Sequence, residues 1–189
     1  MNDTDGTDAL SADGTDAWAA LRRHTPARIA IGRTGGSQRT ASLLDFRLAH
    51  AQARDAVHAP FDAAALAAQL AAHGLASEQI HTAVNGTAGT GAVARDTYLV
   101  RPDLGRRLDD ASREKLRSLA AQWGRRDLAI ILSDGLAACA AAHHAAAVVV
   151  PLTAQLADAG WTHYPVLIVP SGRVKLQDEI GEILGARHT

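Results

Sequence analysis

The sequence has little cysteine and few aromatic residues, and each shortage excludes something. Cys139 is its single cysteine, so no disulfide can form within the chain, and this suits a reducing cytoplasm. Aromatic residues make up only 4% of the chain, and much of the 47% hydrophobic fraction is alanine, which buries little area. A chain of this composition gains stability from a partner surface, although composition alone does not require one.

An excess of charge and a long apolar run are also lacking. The formal net charge is -1, so no basic field exists to hold nucleic acid or an anionic membrane. The longest apolar run, residues 145–152, is too short to cross a bilayer and contains Pro151. We expect no secretory signal in residues 1–16, which lack basic residues and a long apolar stretch. These features predict a cytoplasmic protein that binds neither nucleic acid nor membranes.

The first two segments of the chain differ in composition. Residues 1–16 are rich in Asp, Thr, Ser and Gly, which predicts a disordered acidic tail. Residues 17–125 predict a mostly helical region with short extended stretches at 27–31, 80–84 and 98–100. The clearest helix is at 40–57, where Leu44, Leu48 and Ala51 share one face. Residues 85–91 predict a turn.

Residues 126–189 carry the clearest pattern. Apolar runs at 127–132 and 163–169 are typical of buried parallel strands, and each is followed by a turn and a helix, at 136–160 (with a break at Pro151) and 177–184. This order predicts right-handed βαβ crossovers in a parallel sheet, and therefore an α/β fold. Ligands of such sheets bind beyond the carboxyl ends of the strands, so segments 133–135 and 170–175 are expected to share a ligand-binding rim.

Candidate binding residues lie on this rim. Asp134, at a strand end, suits either a ligand hydroxyl or amide, or a helix cap, and the two explanations are about equal. Arg173 and Lys175 flank Val174. The two cations suit the phosphate or amide oxygens of a ligand, and the valine offers an apolar surface. The alternative for this segment is a solvated loop with weak local ion pairs.

Patterns for other chemistries are missing. His143 and His144 are neighbours on a predicted helix and point about 100° apart, so they cannot jointly bind one metal ion. Cys139 lacks an identifiable base and is expected to be a buried, inert thiol. The glycine-rich residues 32–37 lack the lysine and spacing of a phosphate-binding loop, and GxGxxG and GxSxG are absent. We therefore predict no metal site and no catalytic residue.

Four segments together resemble, in order, parts of the ethanolamine ammonia-lyase small subunit. The resemblance covers about residues 22–187, and its specificity lies in the combination of RPDLGRRL, SDGL and GRVK. The segments are RIAIGRTGGSQRTASLLDFRLAHAQARDAV at 28–57, YLVRPDLGRRLDD at 98–110, LAIILSDGLAACA at 128–140 and GRVKLQDEIGEILGAR at 172–187.

The resemblance implies an adenosylcobalamin-dependent enzyme that converts ethanolamine to acetaldehyde and ammonia by radical chemistry that the cofactor starts. It implies a Rossmann-like domain, here 126–189, preceded by the helical region. The family's small subunit holds cobalamin against a TIM-barrel large subunit in a hetero-oligomer, which many bacteria enclose in a microcompartment. The chain alone is expected to be inactive.

Carried over residue by residue, the GRV motif places Val174 at a cobalamin contact. We predict Arg173, Asp134 and Gly135 as further cofactor-binding residues on the rim. No catalytic residue is transferred, because the family's radical chemistry belongs mainly to the large subunit. Further family contacts, in a GERPG segment and a later cysteine-containing segment, have no match. We therefore expect a small subunit shortened at its C-terminus, in which Cys139 is not that cysteine.

The absence of a further motif predicts which group binds the lower face of the cobalt in the cofactor. Cobalamin enzymes that replace this ligand by histidine carry Asp-x-His-x-x-Gly, which this chain lacks. The cofactor is therefore expected to keep its own base.

Two other functions remain open. One is a stand-alone nucleotide-binding α/β domain, which the strand-turn-helix units favour and the missing phosphate motifs oppose. The other is a non-catalytic, truncated remnant, in agreement with a sheet that stops short.

Overall fold

The computed structural model describes residues 18–29, 33–34, 36–89 and 91–189. The predicted acidic tail at 1–16 lies outside these residues, as do parts of the predicted strand at 27–31 and of the glycine-rich turn at 32–37. The chain divides into two compact units, Met1–Arg54 and Asp55–Thr189. The predicted boundary between residues 125 and 126 stays a prediction.

The first unit contains short elements and most of a long helix. Arg28 Nη2 donates a hydrogen bond to the Asp45 carbonyl at 3.2 Å, and its guanidinium lies 6.0 Å from the Phe46 ring centroid. The predicted helix at 40–57 is confirmed, and its Leu44 and Leu48 are exposed. The elements are α1 (Ala19–Arg22), the antiparallel pair β1 (Arg33–Thr34) and β2 (Ser37–Gln38), and α2 (Thr40–His58), which continues past residue 54.

The second unit holds a short parallel sheet and the helices that cover it. Its elements are α3 (Ala63–Ala72), β3 (Ser77–Gln79), α4 (Ala83–Ala88), α5 (Ala92–Val100), a 3-10 turn (Leu104–Arg106), α6 (Asp110–Trp123), β4 (Ile131–Leu132), α7 (Ala138–Asp158), β5 (Val166–Ile168) and α8 (Leu176–Leu184).

In the described residues, β5 is the central strand of this sheet, with β3 and β4 parallel on either side. Leu167 pairs with Glu78 on one side and with Ile131 on the other. The two predicted parallel strands are confirmed, although their ladders are shorter than the apolar runs. The third strand comes from before residue 126 and is polar in sequence, so hydrophobic patterning gave no sign of it. The Rossmann-like class stays a prediction.

Helices cover both faces of the sheet. Leu116 of α6 and Ile180 of α8 pack with Tyr164 in one fully buried cluster. The Tyr164 hydroxyl is satisfied there, because it donates to the Leu184 carbonyl at 2.7 Å and accepts from the Arg126 N–H at 3.0 Å. A second cluster joins α3 and α7 to the sheet through Leu66, Leu70, Val149, Val166 and Ile168.

Of three predictions of local structure between residues 80 and 100, the strand at 80–84 and the extended stretch at 98–100 are wrong, and the turn at 85–91 is wrong for residues 85–88. Residues 80–82 lead into α4, which also occupies most of the predicted turn at 85–91, and residues 98–100 end α5 instead of forming an extended stretch. Tertiary packing explains the helices: Ala94 and Tyr98, one helical turn apart, are buried against Val84 and Leu104.

Helix α7 runs through Pro151 without the predicted break. Pro151 has no N–H, so the Ala147 carbonyl, four residues earlier, lacks its helical hydrogen bond. Ala147 is exposed, and its carbonyl therefore binds water instead. By length and composition alone α7 could cross a membrane. Core helices of soluble proteins pass the same test of length and composition. One side of α7 packs through Val149 into the cluster that also contains α3.

The N-terminus of α6 gives a test of helix capping. Asp109, at the N-cap, accepts a hydrogen bond through Oδ1 from the Ser112 N–H at 2.7 Å. We expect Asp109→Ala to lower the free energy of unfolding by about 1 kcal/mol. Urea unfolding measures this, with Asp110→Ala as the matched control, because the Asp110 side chain is exposed and pairs only with Arg113 among the described contacts. Equal losses in both variants would contradict the assignment.

Asp127 predicts a loss of stability in acid. Hydrogen bonds from the Thr162 N–H (3.0 Å) and hydroxyl (2.7 Å), and the nearby Arg187, hold the pKa of Asp127 below its usual value. The ionised carboxylate therefore stabilises the fold above the unfolded pKa, and this stability disappears as pH falls through the folded pKa. We expect Asp127→Asn to be destabilised at pH 7 and to approach the unsubstituted chain as pH falls through the lowered pKa of Asp127. A deficit in urea unfolding that stays constant with pH would contradict this.

Candidate functional site

The carboxyl ends of β4 and β5 lie side by side. The Val169 N–H donates to the Leu132 carbonyl at 2.8 Å, and the segments 133–135 and 170–175 follow directly. The two segments therefore share one rim of the sheet, as predicted.

Ser133 and Asp134 hold the turn that follows β5. Asp134 Oδ1 accepts the Ser171 N–H at 2.7 Å, while Ser133 Oγ accepts the Gly172 N–H at 3.0 Å and donates to the Gly172 carbonyl at 3.1 Å. Ser171 has φ 59°, in the left-handed region that non-glycine residues rarely adopt. The hydrogen bonds from the end of β4 stabilise this unfavourable backbone conformation.

The second carboxylate oxygen of Asp134 pairs with Arg95. Asp134 Oδ2 lies 3.2 Å from Arg95 Nη1, with 6% and 8% of the two side chains exposed. Arg95 also donates to the carbonyls of Gly135 and Val57. Burial raises the pKa of Asp134 above its usual value, although the Ser171 N–H and Arg95 oppose the increase. A side-chain cap of α7, the alternative role for Asp134, is wrong, because the helix has Ala137 at its N-cap.

Arg173 anchors the turn on its other side. Its backbone N–H donates to the Gly105 carbonyl at 2.7 Å, and its Nη2 donates to the Tyr98 carbonyl at 2.9 Å. The guanidinium carbon lies 4.2 Å from the centroid of the Tyr98 ring. Arg173 therefore points toward Tyr98 and Gly105, and its Nε is buried without a hydrogen-bond partner in the described structure.

Gly105 allows this close approach. A Cβ atom at this position would lie 2.8 Å from Arg173 Cγ and 2.9 Å from the Ser171 carbonyl oxygen. Both distances are too short for a real contact, so a larger residue would displace the turn. Sequence reasoning identified the RPDLG motif as specific but assigned no role to it. Arg95 and Tyr98 were missed as well.

Val174 lies outside this network of hydrogen bonds. Its side chain is 82% exposed, the following Lys175 is exposed too, and α8 begins at Leu176. An apolar side chain presented on a held turn is suited to contact a flat apolar group of a ligand. The polar atoms of Asp134 are already occupied within the chain, in contrast to those of a free binding residue.

A cavity of about 710 Å³ lies beside the same rim. His81 Nδ1 and Arg95 Nη2, on two of its lining residues, are buried without hydrogen-bond partners in the described part of the chain. The charge of Arg95 is balanced by Asp134, so the cavity does not offer a free cation to a phosphate. This disfavours a nucleotide-binding domain. The cavity lining also includes His58, Phe61, Gln79 and Ser171.

The described residues contain no group of three His, Cys, Asp or Glu side chains that could hold a metal ion. His143 Nδ1 lies 2.7 Å from the Cys139 carbonyl, four residues earlier on α7. The expectation that Cys139 is buried is wrong: it is exposed, because it faces away from the packed side of α7 that begins with Ala138.

Comparison with known proteins gives a consistent result. Residues 15–189 match the family model described as ethanolamine ammonia-lyase light chain (EutC). The chain is 51% identical over 178 residues to the ethanolamine ammonia-lyase small subunit of Pseudomonas syringae pv. tomato, covering 94% of this chain and 59% of that protein. It is 49% identical over 178 residues to the Pseudomonas fluorescens small subunit, covering 94% and 62%. For Xanthomonas campestris pv. campestris the identity is 50% over 173 residues, covering 91% and 61%.

These relatives are longer than the matched region. The chain spans only 59–62% of their length.

Proposed function

The chain belongs to the ethanolamine ammonia-lyase light-chain family, and we propose that it acts as the small subunit of an adenosylcobalamin-dependent ethanolamine ammonia-lyase. The supporting observation is the exposed Val174 on a turn fixed at the carboxyl edge of a parallel sheet. In this proposal the sheet belongs to a Rossmann-like domain, and the rim faces the cofactor. The lyase acts in the cytoplasm or inside a bacterial microcompartment.

The residues of the rim support a binding role and not a catalytic one. Adenosylcobalamin, when bound, supplies a cobalt–carbon bond whose homolysis starts the radical reaction. Val174 provides an apolar contact that excludes water from one side of the cofactor, and this contact is stronger on a rigid turn than on a mobile one. No group of this chain is proposed to transfer a proton or to bind ethanolamine.

A large subunit is the proposed partner. The family names light chain and small subunit, which its relatives carry, imply a heavier chain, and the exposed leucines 44 and 48 of α2 agree with a chain that gains stability on association. In this proposal the partner supplies the substrate site and encloses the cofactor from the other side.

Reconstitution tests the proposal. The chain is mixed with the large subunit of the Pseudomonas syringae enzyme, ethanolamine and adenosylcobalamin, and acetaldehyde is measured. The full-length small subunit from that organism serves as the positive control, and omission of either subunit as the negative control. Acetaldehyde formation that depends on both chains is expected. A complex that forms but stays inactive would support association with the large subunit and contradict the role in the lyase reaction. Failure to form a complex would contradict both.

The nucleotide-binding alternative has a separate test. We expect ATP and NAD to leave the melting temperature of the chain unchanged, because the cavity lacks an unpaired cation and the sequence lacks a phosphate loop. A concentration-dependent increase in melting temperature with either nucleotide would favour the alternative.

A further inference from the structure

We propose that the SDG segment (residues 133–135) and the 3-10 turn that contains Gly105 (Leu104–Arg106) are positioning elements that fix the turn at 171–175 and thereby place Val174. This inference rests on the proposed function, since it assigns a role in cofactor binding to residues that do not themselves contact the cofactor. In this proposal Asp134 and Arg173 act through the turn and not through direct contact, and Gly135 contributes through its carbonyl, which holds the Arg95 partner of Asp134.

The direction of the side chains supports positioning. Asp134 and Ser133 bind backbone atoms of Ser171 and Gly172, which are the first half of the turn. Each of these bonds fixes the main chain, so the side chains of this segment are already engaged and point away from solvent. A residue that contacts a ligand directly would instead keep an accessible polar atom.

The second half of the turn is fixed by a different part of the chain. The Gly105 carbonyl accepts the Arg173 N–H, and the Arg173 guanidinium returns to the Tyr98 carbonyl and ring. Segments 37 to 75 residues distant in sequence therefore hold one short turn from both sides. Val174, 82% exposed, takes no part in these contacts and stays presented on the turn, followed by the exposed Lys175.

The backbone conformation of the turn at 171–175 is unfavourable by itself and requires stabilising contacts. Ser171 adopts a left-handed conformation at φ 59°, and a non-glycine residue in this region persists only where its surroundings hold it. Release of either side would allow the turn to relax, and Val174 would then occupy many positions. A ligand would have to order the turn again on binding, which lowers its affinity.

The first test is made on the 189-residue chain alone. Gly105→Ala pushes a Cβ atom into the Ser171 carbonyl and the Arg173 side chain, whereas Gly36→Ala, the matched control, meets nothing within 4 Å. We expect hydrogen exchange at the amides of residues 171–175 to accelerate by about tenfold in Gly105→Ala and to stay unchanged in the control. Unchanged exchange in a folded Gly105→Ala would overturn the inference.

A milder variant covers the case in which Gly105→Ala does not fold. Ser133→Ala removes two hydrogen bonds to Gly172 and adds no atoms. Ser118→Ala, on the exposed side of α6, is its control. Faster exchange at 171–175 is again expected in the first variant only, and equal exchange rates in the two variants would count against the positioning role.

The second test uses the enzyme assembled with a family large subunit. We expect the apparent KM for adenosylcobalamin to rise about fivefold or more in the positioning variants, while kcat at saturating cofactor changes less than about twofold. A mobile turn with an unchanged KM would overturn the inference. If Val174→Asp also leaves the KM unchanged, the proposed cofactor contact itself is wrong, so the two failures are distinguishable.

Discussion

Replacement of Asp134 by alanine is expected to destabilise the folded chain by about 3 kcal/mol or more. The substitution leaves the guanidinium of Arg95 buried without its counter-charge, and it removes the acceptor for the Ser171 N–H. An uncompensated charge in a buried place costs far more than the loss of an exposed ion pair. Urea unfolding followed by circular dichroism at pH 7 measures the difference.

A double-mutant cycle separates the ion pair from the other contacts of Asp134. Arg95→Met removes the charge and keeps much of the aliphatic side chain. We expect the double variant Arg95→Met/Asp134→Ala to be more stable than the sum of the single losses predicts, by about 2 kcal/mol, because no unpaired charge remains. Additive losses would show that the pair is not coupled. Asp103→Ala provides an exposed comparison, since its partner Arg101 is in water, and its loss should be small.

The fold could be predicted where hydrophobic patterning is strong. The apolar run that contains β5 is visible because this central strand is buried on both faces. The run at 127–132 is visible because Ala129 and Ile130, which lead into β4, are buried. Helical periodicity likewise marks α2. Strand β3 has the sequence Ser-Glu-Gln and lies at the edge of the sheet in the described residues. Its position depends on backbone hydrogen bonds to β5, and these produce no hydrophobic pattern in the sequence.

The site was predictable in position and not in detail. The rule for strand ends located Asp134 and Arg173 on one rim, because it depends only on the order of strands and turns. The partners of these residues, Arg95, Tyr98 and Gly105, come from α5 and the loop after it, which the sequence predicted incorrectly or left without a role. Contacts between residues so distant in the chain are set by how α5 packs, and a single sequence does not show this.

Replacement of Val174 by aspartate is expected to reduce the affinity of the assembled enzyme for adenosylcobalamin about 100-fold. The side chain is 82% exposed, so the substitution should leave the fold and its melting temperature unchanged. Against the cofactor, however, a carboxylate would lose its water without gaining a partner, a cost of about 3 kcal/mol. The change in the visible absorption spectrum of cobalamin on binding measures affinity without relying on activity.

Val93→Asp is the matched control, because Val93 is also an exposed valine, at 65%, and lies in the first turn of α5. It should bind cobalamin like the unsubstituted chain. Gel filtration with the large subunit distinguishes two explanations for a loss of binding in Val174→Asp. If the complex stays intact, the valine contributes a cofactor contact, as proposed. If the complex dissociates, the exposed turn meets the partner protein instead, and the rim would then belong to the subunit interface and not to the cofactor site.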